Sequence, residues 1–163
     1  MIRPATPNDV PTILRFVRDL AAFEREPDAV VATDAMLHAA LFGVEPSAEA
    51  VMAENESGAL GFALFFHNFS TWTGRRGLYL EDLYVTPDAR GKGVGTALLR
   101  HLAALAVARD CGRFEWSVLD WNADAIAFYR QMGAVGQDEW TVQRVSGDAL
   151  ARLAGGPAGE AAV

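Results

Sequence analysis

Residues 78–106, LYLEDLYVTPDARGKGVGTALLRHLAALA, contain a strand pattern, a glycine-rich turn and a helix pattern in direct succession. The aromatic and aliphatic run at 78–85 favours a half-buried strand. Pro87 ends that strand, because proline has no N–H for the ladder and biases Thr86 away from helix. Apolar residues then recur at helical spacing, namely Val94, Ala97, Leu98, Leu102, Leu105 and Ala106. The stretch therefore predicts a strand, a glycine turn and an amphipathic helix.

The position of the glycine turn, directly before a helix, predicts an anion-binding site. The first N–H groups of a helix lack intrahelical partners and carry partial positive charge, and glycines let an anion approach the backbone. Two common nucleotide motifs do not fit. Gly91, Gly93 and Gly95 alternate, whereas the dinucleotide motif requires G-x-G-x-x-G. Lys92 lies between glycines instead of preceding Ser or Thr, as a phosphate loop requires.

The glycine turn resembles the Arg/Gln-x-x-Gly-x-Gly/Ala signature of the GNAT N-acetyltransferases, at Arg90, Gly93 and Gly95. Three further motifs of that family follow the same order along the chain: Leu80-Glu81-Asp82-Leu83-Tyr84-Val85, Asn122, and Phe128-Tyr129 before Gly133-Ala134. The resemblance extends from about Ile2 to Leu153 and is closest to the diamine-acetyltransferase-like branch. Within that branch, Phe69-Ser70-Thr71-Trp72 is more similar to the thialysine N-epsilon-acetyltransferase variant than to the spermidine/spermine enzyme, which has an acid in place of Ser70.

The resemblance implies a fold and a cofactor. The fold is α+β in three layers, with a mixed, mostly antiparallel central sheet flanked by helices. The cofactor is acetyl-CoA, released as CoA, with its pyrophosphate in the glycine turn. The implied cofactor-binding residues are Leu83, Tyr84, Val85, Arg90, Gly91, Lys92, Gly93, Val94, Gly95, Thr96, Asn122 and Tyr129.

Acetyl transfer from a thioester to an amine requires a base and an acid. A lysine-like amine has a pKa of ~10.4, so its neutral form at pH 7 costs about 4–5 kcal/mol. Glu81 is the candidate base, acting either through a burial-raised pKa or through a water relay. Tyr129 is the candidate acid for the leaving thiolate; a helical tyrosine more commonly packs, but the resemblance places the family's acid here.

The candidate substrate-binding residues are Phe23, Glu24, Trp72, Glu81, Asp82 and Trp140. Glu24 reads as part of a charged helix end, whereas the resemblance implies an anchor for a substrate ammonium. Asp82 faces away from Glu81 in a regular strand, unless a bulge turns it toward the substrate. Trp72 either covers the core or presents its indole face to a cation. The resemblance also implies a homodimer, in which Trp140 serves a neighbour's pocket.

The remaining pattern predicts the scaffold of a single domain at 1–154. Helices are expected near 10–21 and 33–43, and between 122 and 133. Strands are expected at 50–54, 61–66, 78–85, 113–119 and 140–145, with an aromatic loop at 67–75. Residues 155–163 are rich in glycine and alanine and predict a flexible tail.

Composition narrows the function classes. The 163 residues carry a net charge of −7, which argues against a nucleic-acid surface and favours a cationic substrate over an anionic one. No apolar run approaches the ~18 residues of a membrane helix. One cysteine and no secretory leader predict a cytoplasmic protein. His38, His67 and His101 are far apart in sequence, so no metal site is expected.

The sequence therefore predicts an acetyl-CoA-dependent N-acetyltransferase that acts on a primary amine of a small molecule, such as a thialysine-like amino acid or a diamine. Two alternatives stay open. The same fold acetylates protein N-termini and lysines, and a non-catalytic acyl-CoA-binding sensor would bind the cofactor without turnover.

Overall fold

The computed structural model describes residues 1–155. This chain divides into two compact units, Met1–Trp121 and a second unit that begins at Asn122. The predicted flexible tail, apart from Gly155, lies outside the described residues.

The first unit contains a five-stranded sheet in the order β1-β2-β3-β4-β5. Its strands are β1 Ile2–Pro4, β2 Glu49–Asn55, β3 Gly58–Ser70, β4 Arg75–Val85 and β5 Phe114–Trp116. The first four strands pair antiparallel, and β5 pairs parallel with β4. This arrangement confirms the predicted mixed, mostly antiparallel sheet.

Three helices of the first unit flank the sheet: α1 Val10–Phe23, α2 Asp34–Phe42 and α3 Val94–Ala108. The second unit contains α4 Ala123–Gln131 and α5 Gly147–Leu153. Polar side chains fix several helix starts, as expected for N-caps. Thr33 Oγ1 accepts a hydrogen bond from the Met36 N–H at 3.2 Å, and Asn122 Oδ1 accepts one from the Ala125 N–H at 3.2 Å.

Alternation along the strands gives the sheet two buried faces. One face packs against α1 and α2, in a cluster made by Ile13, Phe16, Leu41, Ala50, Met52, Phe62, Leu64 and Tyr84. Residues between these positions, such as Val51 and Phe65, point to the opposite face. They are also buried, as are Leu98 and Leu102 of α3. The sheet therefore lies between α1–α2 and α3.

A three-residue ionic cluster, the Arg3 clamp, closes one edge of the sheet. The Arg3 guanidinium donates to Asp9 at 2.7 and 3.0 Å and to Glu54 at 2.8 Å through two of its nitrogens. The Asp9 carboxylate also accepts the Thr6 N–H at 2.7 Å, completing a capping box. These bonds connect β1, the start of α1 and the end of β2.

Two local predictions are wrong. The predicted loop at 67–75 is mostly strand, because β3 continues to Ser70 and pairs Phe69 with Arg76; only residues 71–74 form a turn. The predicted strand at 140–145 is absent from the described second unit. Its alternating pattern suits a strand, but a ladder also needs a neighbouring backbone, which a local pattern cannot supply.

Candidate active site

A β-bulge in β4 organises the candidate site. Leu64 of β3 pairs with Asp82, and the next residue, Phe65, pairs with Leu80. Glu81 is therefore an extra residue in β4, opposite no residue of β3. The bulge that the sequence left open as an alternative is present.

The bulge changes the face that Asp82 occupies. In a regular strand Asp82 would share a face with Leu80, two residues before it. Cross-strand partners share a face, so Asp82 instead lies with Leu64 and Tyr84 on the side of α1. The C-terminal end of α1 carries Glu24, and the two carboxyl groups are close enough to influence each other. We call Glu24, Glu81 and Asp82 the acid cluster.

The members of the acid cluster differ in exposure and in proton affinity. Burial, followed by repulsion from the Glu81 and Glu24 carboxylates, raises the pKa of Asp82 to about 6. Burial also raises the pKa of Glu24. Glu81 is exposed, so the burial expected for it is wrong, and the water relay stays a prediction. Within residues 1–155 no arginine or lysine forms a salt bridge with any of the three.

Next to the acid cluster, one edge of β4 has no strand partner within residues 1–155, and we call it the open edge. β5 pairs with β4 only at Leu78, Tyr79 and Leu80. On the other edge, the Thr86 N–H donates to Leu60 of β3 at 2.8 Å. Alternate residues direct their N–H and C=O groups to opposite edges, so Leu83 and Val85 direct theirs to the open edge. Both were expected to hold the cofactor, and this geometry fits its pantetheine arm.

Tyr84, one of the residues expected to bind the cofactor, lies in the core. Its side chain is 6% exposed, in the core, with its ring 5.1 Å from that of Phe16. Its backbone groups face β3, where it pairs with Phe62. The side chain of Tyr84 therefore packs in the core beneath the site, and this packing does not favour a contact between that side chain and the cofactor.

The glycine turn and the start of α3 fit a pyrophosphate. Gly91 and Gly93 have φ angles of +73° and +83°, a conformation that favours glycine, and a Cβ at either would meet no atom within 4 Å. The Ala97 N–H is the first in α3 to bond backward, to Gly93. The preceding N–H groups of Val94, Gly95 and Thr96 lie at the positive end of the helix. The exposed Lys92 adds a cation in the same turn.

Arg90 links the glycine turn to β4. Its Nε donates to the Val85 carbonyl at 2.9 Å, and its guanidinium lies 5.4 Å from the Phe23 ring centre and 5.6 Å from that of Tyr84. The side chain therefore fixes the turn against β4 and the end of α1.

An exposed aromatic patch extends from the end of α1. The Phe23 and Trp121 ring centres are 6.2 Å apart, and the two side chains are 47% and 42% exposed. The Arg25 guanidinium lies over the Trp121 ring, 3.9 Å from its centre. Sequence reasoning selected Phe23 but missed Arg25 and Trp121, although both adjoin selected residues, Glu24 and Asn122.

Trp72 lies at the other end of β4 from the bulge. It occupies the turn before Arg75, where β4 begins, and is 81% exposed. Arg75 and Glu81 are six residues apart, about 20 Å along an extended strand. Within one chain the structure does not bring Trp72 to the acid cluster.

The second unit holds the remaining predicted residues. Asn122 caps α4, because its side chain accepts the Ala125 N–H. Tyr129 is partly buried on α4, with its ring centre 5.5 Å from that of Phe128. Trp140 is 68% exposed, in a segment without strand structure.

Residues 1–155 contain neither a cluster of metal-binding side chains nor a membrane-spanning helix. No group of His, Cys, Asp and Glu in this part of the chain is arranged to hold a metal ion. No described helix is both long and apolar enough to cross a bilayer.

Comparison with known proteins assigns the family. The sequence profile of the acetyltransferase (GNAT) family matches residues 14–134. The chain belongs to the GNAT family. As a GNAT protein with acetyltransferases among its relatives, it is an N-acetyltransferase, and enzymes of this family use acetyl-CoA as the acyl donor.

Relatives of this GNAT enzyme include acetyltransferases of amino acids. It is 39% identical to the thialysine N-epsilon-acetyltransferase of Mus musculus, over 94% of this chain and 96% of the relative. It is 33% identical to the L-ornithine N5-acetyltransferase of Arabidopsis thaliana, over 91% of this chain and 85% of the relative. Among solved structures, an integron cassette protein from the mobile metagenome of V. cholerae superposes with a TM-score of 0.79 at 27% identity. The match covers 94% of this chain and 96% of that protein. These matches confirm the predicted family and fold.

Proposed function

We propose that this GNAT enzyme transfers an acetyl group from acetyl-CoA to the terminal amine of a small molecule, a thialysine-like amino acid or a diamine. The observation that carries the proposal is the bulge at Glu81, which turns Asp82 toward Glu24 beside the open edge of β4. The names of the relatives, which act on thialysine and L-ornithine, support a small amine as the acceptor.

The acid cluster binds the amine and takes its proton. Glu24 and Asp82 attract an ammonium because no cation of residues 1–155 neutralises them. A carboxylate with a pKa near 6 is a better match to an amine than one near ~4.3, because less free energy separates the two proton affinities. Asp82 therefore accepts the proton, and the exposed Glu81 passes it to solvent through water.

The cofactor is held by the open edge of β4 and the glycine turn. Leu83 contacts the pantetheine arm through its backbone N–H and C=O groups, and Val85 contacts it through its N–H, because its carbonyl already accepts from Arg90. Gly91, Lys92, Gly93, Val94, Gly95 and Thr96 hold the pyrophosphate. When bound, acetyl-CoA supplies a thioester whose acetyl group becomes an amide as the C–S bond breaks. The phenol of Tyr129 donates the proton that the released thiolate sulfur accepts, because a group with a pKa of ~10 stays protonated at neutral pH. Asn122 orients the start of the helix that carries Tyr129.

On the same family resemblance, we propose that the enzyme is cytoplasmic and acts as a homodimer, in which Trp140 serves the neighbour's site. We extend this assignment to Trp72. The distance of Trp72 from the acid cluster of its own chain favours this assignment.

The test is acetyl-CoA-dependent thiol release by the purified protein with L-thialysine, lysine, ornithine, putrescine, spermidine and a short peptide, with products identified by mass. Turnover concentrated on small amines supports the proposal. Faster turnover of the peptide favours a protein acetyltransferase. Cofactor binding without turnover of any amine favours a sensor. An unchanged rate in Tyr129→Phe removes Tyr129 from the mechanism.

A further inference from the structure

Arg25 is held in an uncommon backbone conformation directly after the acid cluster's Glu24. Its φ angle is 67°, in the left-handed region that few side chains other than glycine, asparagine and aspartate adopt. Arg25 follows the last residues of α1, so this conformation redirects the chain at the end of the helix. The guanidinium is thereby placed over Trp121, 3.9 Å from the ring centre.

This placement leaves the hydrogen-bonding edge of the guanidinium available. A guanidinium stacks on an aromatic ring through its flat face, while its five N–H donors lie around its edge. In the described part of the chain, the Arg25 side chain forms no salt bridge and no hydrogen bond. A planar fork of donors, fixed by stacking, matches the geometry of a carboxylate.

The neighbourhood of Arg25 carries three kinds of surface in one place. Glu24 and the rest of the acid cluster are negative, Phe23 and Trp121 expose apolar rings, and Arg25 is positive. Arg25 makes no salt bridge with the acid cluster, so the two charges stay separate. A ligand that complements all three has an amine at one end, methylenes in the middle and a carboxylate at the other end.

We propose that Arg25 is a specificity-determining residue that binds the carboxylate of an amino acid whose terminal amine lies in the acid cluster. The methylenes of the substrate pack against Phe23 and Trp121. A diamine of the same length has an ammonium at this end without the carboxylate, so nothing offsets its repulsion from Arg25, which selects against it. This inference rests on the proposed function and narrows its substrate class from small amines to amino acids.

The test uses two amines that differ only by a carboxylate, L-thialysine and bis(2-aminoethyl) sulfide. We expect wild-type kcat/KM to favour L-thialysine by about 10- to 100-fold, the effect of a charge-assisted hydrogen bond. In Arg25→Gln we expect the two kcat/KM values to differ by less than about threefold. The main cause is a higher KM for L-thialysine, while kcat changes little. Arg25→Lys retains the charge but loses the fork, so its ratio lies between the two.

Arg18→Gln is the matched control, because Arg18 is an exposed arginine of α1 and its substitution changes the net charge equally. We expect it to retain the wild-type ratio. Calorimetry of L-thialysine with the CoA-bound protein gives a second readout, in which Arg25→Gln loses affinity and Arg18→Gln does not.

Two results overturn the assignment in distinguishable ways. Turnover of both amines with the same ratio in wild type and Arg25→Gln overturns the role of Arg25 and leaves the proposed function standing. Absence of turnover with every amine, in the wild-type protein, overturns the proposed function and this inference together.

Discussion

The Arg3 clamp and the acid cluster use the same kind of side chain with opposite results. In the clamp, hydrogen bonds from Arg3 lower the pKa of Asp9 to about 2 and also lower that of Glu54. In the acid cluster, burial and neighbouring carboxylates raise the pKa of Asp82 to about 6. Carboxylates held by a cation stabilise the fold, whereas carboxylates gathered without one keep affinity for protons and cations.

The arginines near the two regions explain the difference. Arg3 directs its fork at two carboxylates, whereas Arg25 and Arg90 lie over aromatic rings. Aromatic rings thus hold positive charge near the acid cluster without neutralising it. Repulsion between carboxylates therefore persists in the acid cluster, where we propose that an amine binds, and is removed in the Arg3 clamp.

The largest expected effect comes from Asp82→Asn, which retains the shape of the side chain and removes the proposed proton acceptor. We expect kcat/KM for the amine to fall by about 100- to 1000-fold, the usual effect of losing a general base. Asp28→Asn, at an exposed position, is the control and is expected to retain activity. Steady-state rates measure both, and a rate within threefold of wild type would exclude Asp82 as the base.

The stability of the same variant depends on pH with a definite sign. The pKa of Asp82 rises from 3.8 in the unfolded chain to about 6 in the fold. Protonation therefore stabilises the fold below pH 3.8, and this contribution is lost as the pH rises through 6. Asp82→Asn avoids that loss. The unfolding free energy of the variant, relative to that of wild type, should therefore rise by up to about 3 kcal/mol from pH 4 to pH 8. Urea unfolding at both pH values measures the gain, and a constant difference would contradict the burial argument.

A smaller effect is expected from Arg90→Ala. It removes the hydrogen bond to the Val85 carbonyl and a positive charge beside the glycine turn. We expect CoA affinity to fall by about tenfold, near 1.4 kcal/mol, while the unfolding free energy changes little. Calorimetry with CoA checks this prediction, and unchanged affinity would show that the glycines and the start of α3 suffice.

The smallest effect is expected from Arg3→Gln, which opens the clamp at a partly exposed edge. Solvent screens such pairs, so we expect a loss of about 1 kcal/mol at pH 7, or a few degrees in Tm, with activity retained. Because the pKa of Asp9 is lowered from 3.8 to about 2, its contribution is present above pH 3.8 and lost as the pH falls through 2. Thermal unfolding at pH 7 and pH 2 tests this sign. A stability difference between wild type and Arg3→Gln that is larger at pH 2 than at pH 7 would contradict this prediction.

The sequence predicted the family, the central strand and its glycine turn because each depends on local chemistry. A short stretch of sequence contains each of the signals: the glycines that adopt positive φ, the proline that ends the strand and the periodic apolar residues of the helix. The sequence also indicated Glu81 and Asp82 as functional residues, because placing two acids in so apolar a strand costs free energy.

The sequence assigned the base to Glu81 and substrate binding to Asp82, but it did not determine which of the two carboxyl groups is more buried. Whether Glu81 or Asp82 is buried depends on which β3 residue faces each, and the shift from Leu64 to Phe65 decides that. The positions of Tyr84 and Trp72 also depend on contacts that a local pattern does not contain. Packing against Phe16 draws Tyr84 into the core, and the length of β4 separates Trp72 from the bulge.

The sequence by itself determined the family, the order of the elements and the residues able to carry the chemistry, because turn residues and periodicity act over a few neighbours. Only the tertiary structure decided that Asp82 faces Glu24, that the edge of β4 beyond Leu80 is open, and that Arg25 lies over Trp121. Each of these depends on residues far apart in the chain. Burial, strand register and the separation of charges are fixed only when those residues pack together.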